Sequence, residues 1–411
     1  MIQTISRQDP NRLAEFFLVN ISNSEKLFFS NLKYLINQNQ TMLCPITGMK
    51  EMPYHFSFFC HCLLLSLLIT TIFYPLAAKG ELFVNDPLLS QQWGWFRVAA
   101  DKAYDANIKG SGIVVAVLDT GIDLDHPDLA NNIVDGWNFA DDNSDVSDLD
   151  NHGTMVSGII AAIANNNEGM TGVAPEAKIM PLKVLDSEGG NLRDVASAIR
   201  YAADNGAQVI TMSFGGQRTR FSIITEKAID YAHKQGCILV AAVGNENTSE
   251  LFYPAAYEQV IAVSAIDQND TRADFSNYGT YVDFCAPGIN IASTGKDGKY
   301  YMANGTSFSA PFVAGLIALM LSDNPQLTTE EVKTELLTHV EDLGENGWDQ
   351  YYGWGLANAY SAIPEDAIPE FPSLTFLPIF ATITLTIIIF RKNLKTRQSS
   401  INRNASLHKS T

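Results

Sequence analysis

Three short segments carry residue types suited to nucleophilic acyl transfer. Val117-Leu118-Asp119-Thr120-Gly121-Ile122-Asp123 ends an apolar run on an aspartate. Asn151-His152-Gly153-Thr154-Met155-Val156-Ser157-Gly158 sets one of only seven histidines among small residues that permit close approach. Asn304-Gly305-Thr306-Ser307-Phe308-Ser309-Ala310-Pro311 places Ser307 at the mouth of an apolar helix. There its backbone N–H and the positive helix end favour an anion. Each segment alone has a plainer reading: a turn aspartate, a satisfied polar histidine, an N-cap serine. Together their chemistries are complementary. A serine is a poor nucleophile until a base accepts its proton. Histidine is that base near neutral pH. Aspartate fixes the imidazole tautomer and stabilises its charged form. A fourth group must hold the oxyanion. Asn245, after Ala241-Ala242-Val243-Gly244, offers a side-chain amide for this. Such a donor is worth roughly 100- to 1000-fold in turnover; its plainer reading is a turn residue.

These residues need a rigid frame. The runs 112–118, 207–213, 237–243 and 259–264 are continuous and apolar, as expected of strands buried on both faces of a parallel sheet. Helical spacing is found over 191–205, 223–235 and 307–322. Gly236 and Asn324-Pro325 supply stops, and Thr328-Thr329-Glu330-Glu331 opens a further helix with cap residues. Strands alternating with helices predict an α/β fold with a doubly wound, mostly parallel sheet flanked by helices. An aspartate closing such a strand sits where these sheets place their sites.

Of 411 residues, 27 are Lys or Arg and 45 are Asp or Glu, a formal charge of −18. With 46% apolar residues the chain is too apolar to be disordered and too acidic to bind nucleic acid. Its five cysteines, Cys44, Cys60, Cys62, Cys237 and Cys285, form neither a disulfide framework nor a zinc pattern; the last two are expected to pack as small apolar groups. The acid is concentrated in residues 79–372, while 391–411 hold six basic residues and no acidic one. Two uncharged apolar stretches, 56–78 and 374–390, flank the acidic body, each long enough to span a bilayer. Arg391 and Lys392 place the C-terminal end in the cytoplasm and the body outside. Residues 49–78 read as a signal peptide or a signal anchor; Met49-Lys50-Glu51-Met52 resembles a signal-peptide start, which would leave 1–48 untranslated. Residues 363–373, rich in Pro and acid, read as a stalk, followed by a transmembrane helix at 374–390 and a basic tail.

Residues 84–362 resemble the subtilisin-like serine proteases, the thermitase-like members in particular. The resemblance rests on NDPLLSQQWG at the start, the DTGID, HGT and GTSxxAP motifs in the family's order, SFGG at 213–216 and GWGLANAYSA at 353–362. It implies a serine endopeptidase working through an acyl-enzyme, with Asp119, His152 and Ser307 as triad and Asn245 as oxyanion donor. It implies that Ser213, Phe214, Gly215 and Gly216 pair with an extended substrate backbone. It also implies structural Ca2+. Side-chain oxygens would come from Asp86, Asp128 and Asn166, and carbonyls from Ile163, Glu168 and Met170. Asp141, Asn143 and Asp145 resemble a second, weaker site, or a merely solvated acidic loop. Four positions depart from the family: Asn151, Met155, Phe308 and Phe312 replace Gly, His, Met and His. The bulkier groups are expected to alter the pocket rim. The usual folding propeptide has no evident place between the N-terminal apolar stretch and Asp86. The tail Pro369-Glu370-Phe371-Pro372 with its apolar span resembles archaeal surface-anchoring segments, some of which are exchanged for a lipid.

The expectation is therefore a secreted, membrane-tethered endopeptidase, monomeric, acting on peptides or proteins. The competing reading is an inactive subtilisin-fold protein that binds or supports at the cell surface. An α/β-hydrolase esterase is excluded, because it needs Gly-x-Ser-x-Gly with serine first in chain order.

Overall fold

The computed structural model describes residues 84–186, 189–217 and 223–363. The expected signal segment, most of the stalk, the C-terminal span and the basic tail lie outside the described residues. In chain order the elements are α1 (Trp93–Arg97), α2 (Ala100–Asp105), β1 (Val114–Asp119), β2 (Trp137–Asn138), α3 (His152–Ala161), β3 (Lys178–Lys183), β4 (Leu185–Asp186), β5 (Gly189–Gly190), α4 (Leu192–Asp204), β6 (Val209–Met212), β7 (Gly216–Gln217), α5 (Ile223–Lys234), β8 (Ile238–Ala242), β9 (Phe252–Tyr253), β10 (Val260–Ile266), β11 (Phe284–Pro287), β12 (Ile291–Gly295), β13 (Lys299–Ala303), α6 (Thr306–Asp323) and α7 (Thr329–His339).

Among the described residues seven strands form one sheet in the order β11-β10-β8-β6-β1-β3-β2, and every pairing in it is parallel. The continuous apolar runs follow from burial on both faces. Val115 and Val117 join one core with Ile159 of α3 and Leu316 of α6. Their neighbours Ala116 and Leu118 join another with Ile199 of α4 and Ile229 of α5. Alternate side chains thus meet helices on opposite faces. The chain leaves β1 on one side to build β2 and β3, then crosses to β6 on the other. This change of direction at β1 is a topological switch point, with Asp119 at its carboxyl end.

One central strand carries no clear strand pattern. β3 reads Lys-Ile-Met-Pro-Leu-Lys, and a proline normally argues against a central strand. The structure explains the tolerance. Ile179 and Lys183 turn their carbonyls toward the β2 side, accepting from Val134 and Phe139. By period-two alternation Pro181 faces the same side, so its missing N–H removes no bond to β1. The hairpin of β12 and β13 was likewise not apparent in the sequence.

Cys237 and Cys285 are free and buried, as expected. Thr328 caps α7 through a reciprocal capping box with Glu331. Among the described residues α6 is the one helix long and apolar enough to cross a membrane, yet 83% of it is buried in the protein core.

Candidate active site

Asp119 ends β1, and His152 opens α3 beside it. The close docking requires Gly153: a Cβ there would overlap the Gly121 carbonyl oxygen and lie 3.1 Å from the Asp119 Cβ. The two side chains meet at 2.8 Å, His152 Nδ1 to Asp119 Oδ1. With the carboxylate accepting, Nδ1 carries the proton and Nε2 of the neutral ring is left as an acceptor. Asp119 is 1% exposed. Its Oδ1 also accepts the Thr120 N–H at 2.8 Å, while its buried Oδ2 has no partner among the described residues. Burial is the largest single influence and opposes the imidazolium, but the Asp119 charge and hydrogen bond, with the Asp150 and Asp148 charges, together outweigh it and raise the His152 pKa above the ordinary histidine value.

Ser307 is the second residue of α6, and the helix is capped by Gly305 at a φ of 153°. Ser307 is therefore not an N-cap serine. Its Oγ donates to the Ser213 carbonyl at 2.9 Å, and the Ser213 Oγ donates back to the Ser307 carbonyl at 2.8 Å. Pro311 explains the second bond. It stands four residues after Ser307 and has no N–H, so the Ser307 carbonyl lacks its helical donor and takes the Ser213 hydroxyl instead. The Phe308 ring, next in the chain, lies 5.5 Å from the imidazole, which brings the start of α6 against His152. The serine hydroxyl is thus turned onto the Ser213 main-chain oxygen. Catalytic hydrogen bonds commonly tighten only when substrate enters.

Asn245 follows β8 and faces the same helix end. Its Oδ1 accepts the Thr306 N–H at 2.9 Å and the Thr306 hydroxyl at 3.1 Å. This fixes the amide orientation and leaves Nδ2, a donor without a partner among the described residues, on an exposed side chain. Ser213, Phe214 and Gly215 run as loop into Gly216 of β7, which pairs antiparallel with β9. Among the described residues no strand lies on the other edge of β7.

The expected metal ligands also converge. Asp86 and Asp128 are 4% and 0% exposed. The Asp86 carboxylate accepts the N–H groups of Asn165 and Asn166, at 2.8 and 3.1 Å. Asp128 accepts from Met170 N at 2.9 Å, Tyr300 OH at 3.0 Å and Asn166 Nδ2 at 2.6 Å. Burial raises the Asp86 pKa, its backbone hydrogen bonds lower it, and the Asp128 charge raises it again. The Ile163, Glu168 and Met170 carbonyls accept no hydrogen bond among the described residues, so the donor set suits a hard cation. Asn166 is the poorest match, because its Oδ1 accepts from Glu168 N. Asp141, Asn143 and Asp145 are exposed and tied into their own loop. Asn138 donates to Asp141, Asn143 accepts from Asp145 N, and Asp145 accepts from Ser147 N.

Residues 110–355 match the family model described as the subtilase family. The chain belongs to the subtilase family. It is 42% identical over 275 residues to the thermophilic serine proteinase of Bacillus sp. (strain AK1), covering 66% of this chain and 67% of the relative. It is 39% identical to thermitase of Thermoactinomyces vulgaris, covering 68% of this chain and 98% of thermitase. A solved protease from Pseudoalteromonas arctica PAMC 21717 superposes with a TM-score of 0.62 at 32% identity, covering 68% of this chain and 98% of that one. This subtilase is accordingly a serine endopeptidase with the subtilisin-like fold.

Two features differ from the sequence reading. Met155, Phe308 and Phe312 do not line a rim; they are 5%, 6% and 4% exposed and belong to the core. Phe312 fills the space at Gly94, where a Cβ would lie 2.7 Å from its ring. The support beneath the Asp–His pair was also missed. Asp148 is buried there, yet in the sequence it is one of several acids between Asp141 and Asp150. Its signal was its position just upstream of a helix start, where a carboxylate can accept otherwise unpaired N–H groups.

Proposed function

We propose that this subtilase cleaves peptide bonds through an acyl-enzyme on Ser307. The observation that carries this is the 2.8 Å Asp119–His152 pair near the α6 end, where Ser307 lies with Asn245, whose Nδ2 has no partner among the described residues. The Ser307 hydroxyl swings from the Ser213 carbonyl to His152. Its Oγ attacks the scissile carbonyl carbon while Nε2 takes the proton. The oxyanion receives Asn245 Nδ2 and the Ser307 N–H. His152 then returns the proton to the leaving amine, and the acyl-enzyme remains. Water, deprotonated by the same nitrogen, releases the acid and restores the serine. Asp119 holds the tautomer throughout. The open edge at Ser213–Gly216 takes the substrate backbone, which favours extended peptides of varied sequence.

The test is covalent labelling of the full chain with a serine-reactive fluorophosphonate. Labelling of the wild type and its loss in Ser307→Ala support the reading. An unlabelled, folded wild type favours the inactive scaffold.

Calcium is proposed at Asp86 and Asp128 with the Ile163, Glu168 and Met170 carbonyls, as a structural ion outside the chemistry. No cation is assigned to the Asp141 loop, whose polar groups serve its own turns. An acid with a raised folded pKa binds more protons when folded, so ionising Asp86 lowers stability as pH rises through that pKa. A divalent cation would offset this cost. Chelation should therefore lower Tm at neutral pH and have less effect where Asp86 is protonated. An unchanged Tm at neutral pH counts against the site.

The domain is further proposed to face outward and to be tethered by residues 374–390, or by a lipid after tail processing, with the basic tail in the cytoplasm. This rests on the apolar run and on Arg391 and Lys392 after it. Protease digestion of intact cells tests it; a fully protected catalytic domain contradicts it.

A further inference from the structure

Asp148 is 8% exposed and accepts from five groups. Oδ1 takes the Thr120 hydroxyl at 2.9 Å, the Asp150 N–H at 3.0 Å and the Asn151 N–H at 2.9 Å. Oδ2 takes the Thr154 N–H at 2.9 Å and the Thr154 hydroxyl at 2.6 Å. Every partner is a donor, so only an ionised carboxylate satisfies them all. Burial alone would raise its pKa; the Thr154, Asn151 and Thr120 hydrogen bonds reverse this and leave it lowered.

The partners belong to two segments. Thr120 follows Asp119 directly, while Asn151 and Thr154 flank His152. Thr120 also closes the gap between them, because its Oγ accepts the Gly153 N–H at 2.9 Å while donating to Asp148. A continuous path therefore runs from the residue after Asp119 to the residue after His152. Asn151, at a φ of 122°, holds a backbone shape that favours glycine, and the Asp148 bond to its N–H helps to hold it there.

We propose that Asp148 is the positioning residue of the Asp119–His152 pair, clamping strand end to helix start through Thr120 and Thr154. The inference rests on the proposed triad and deepens it. Asp148 touches neither substrate nor the reacting atoms; it sets the distance across which Asp119 holds the imidazole and adds a fixed negative charge near it. The other charged groups around His152 are Asp119 from β1, Asp150 from its own loop, and Lys296 from the β12–β13 turn, whose Nζ donates to the Leu149 carbonyl. The first turn of α6 brings no charge.

The experiment compares Asp148→Asn, Thr120→Val and Thr120→Ser in the full chain. It reads kcat and KM on a chromogenic peptide across pH, with Tm as the check on folding. Asp148→Asn turns one acceptor into a donor facing donors and removes the charge. It should lower kcat roughly 100-fold with little change in KM, as a small misplacement of the base would. Its acid limb should also move to lower pH, which a merely structural lesion would not do. Thr120→Val keeps the charge but breaks the bridge, so kcat falls while the limb stays in place; Thr120→Ser restores most of the turnover. A folded Asp148→Asn with wild-type kcat and an unmoved limb overturns the proposal. If Asp148→Asn does not fold, a folded Thr120→Val with wild-type kcat overturns it equally. His152→Ala with wild-type turnover would instead overturn the triad, and this inference with it.

Discussion

The two halves of the proposed active site, the base with its aspartate and the nucleophile with its oxyanion donor, are built differently. The Asp119–His152 half sets a half-buried imidazole on a buried carboxylate, is held by a dense set of hydrogen bonds and is pinned by a glycine contact. The Ser307–Asn245 half is open. Its nucleophile rests on a carbonyl, and its amide donor has no partner among the described residues. The base must hold one tautomer and one direction through the whole cycle, so rigidity serves it. The nucleophile must leave its resting bond, attack and be released, and the oxyanion donor must wait for charge that exists only during reaction. The difference therefore separates groups that orient from groups that react.

The most severe break falls on the open half. Ser307→Ala removes the proposed nucleophile while the Ser213 bond to the residue 307 carbonyl survives. Peptidase activity should fall on the order of 10⁶-fold, the loss seen when a subtilisin triad serine is removed, with Tm nearly unchanged. His152→Ala should cost about as much, because the pair acts as a unit. Turnover of purified full-length variants checks both; a Ser307→Ala enzyme with near wild-type turnover would disprove the assignment. Next comes Asn245→Ala, which removes the Nδ2 donor that has no partner among the described residues. It should lower kcat by roughly 10²- to 10³-fold, the range for a subtilisin oxyanion donor, with KM little changed. A loss confined to KM would show that Asn245 binds substrate instead.

These halves were not equally legible in the sequence. Asp119, His152, Ser307 and Asn245 could be named because each ends a run or opens one: an apolar strand, a helix of small residues, an Ala-rich helix. Their supports could not. Asp148 looks like any acid in a loop that contains several, and its value comes from five donors supplied by chain up to 28 residues away. Ser213 could be read as part of a substrate strand, but its bond to Ser307 depends on a carbonyl that Pro311 leaves free, which only the folded helix displays. The sheet was legible wherever strands are apolar on both faces, and β3 was not, because its proline is harmless only beside a two-residue neighbour.

A third expectation concerns pH and the orienting half. In the proposed mechanism His152 works as a base only when Nε2 is unprotonated. Burial lowers its pKa more than any other single influence, but the Asp119 charge and hydrogen bond, with Asp150 and Asp148, together outweigh burial and raise it. The acid limb of kcat/KM should therefore lie above the ordinary histidine value of about 6.5. The linked stability runs the other way. A histidine with a raised folded pKa stabilises the fold below its unfolded value, and this contribution is lost as pH rises through the folded one. Activity should thus rise over a window in which this share of stability declines. A limb below that of a free imidazole would mean that burial wins and that the pair is less coupled than its geometry implies.

The smallest effect should come from Ser213→Ala, which separates support from chemistry within the open half. The Ser307 hydroxyl rests on the Ser213 main-chain carbonyl, and alanine keeps that acceptor. What is lost is the Ser213 hydroxyl that satisfies the Ser307 carbonyl, and Pro311 has no N–H to replace it. An acceptor left unpaired costs about 1–3 kcal/mol, less where water can reach it. Thermal unfolding should thus drop by a few degrees, while turnover stays near that of the wild type. A large fall in kcat with an unchanged Tm would show that this bond steers the nucleophile. The Ser307–Asn245 half would then be as preorganised as the Asp119–His152 half, and the contrast between them would fail.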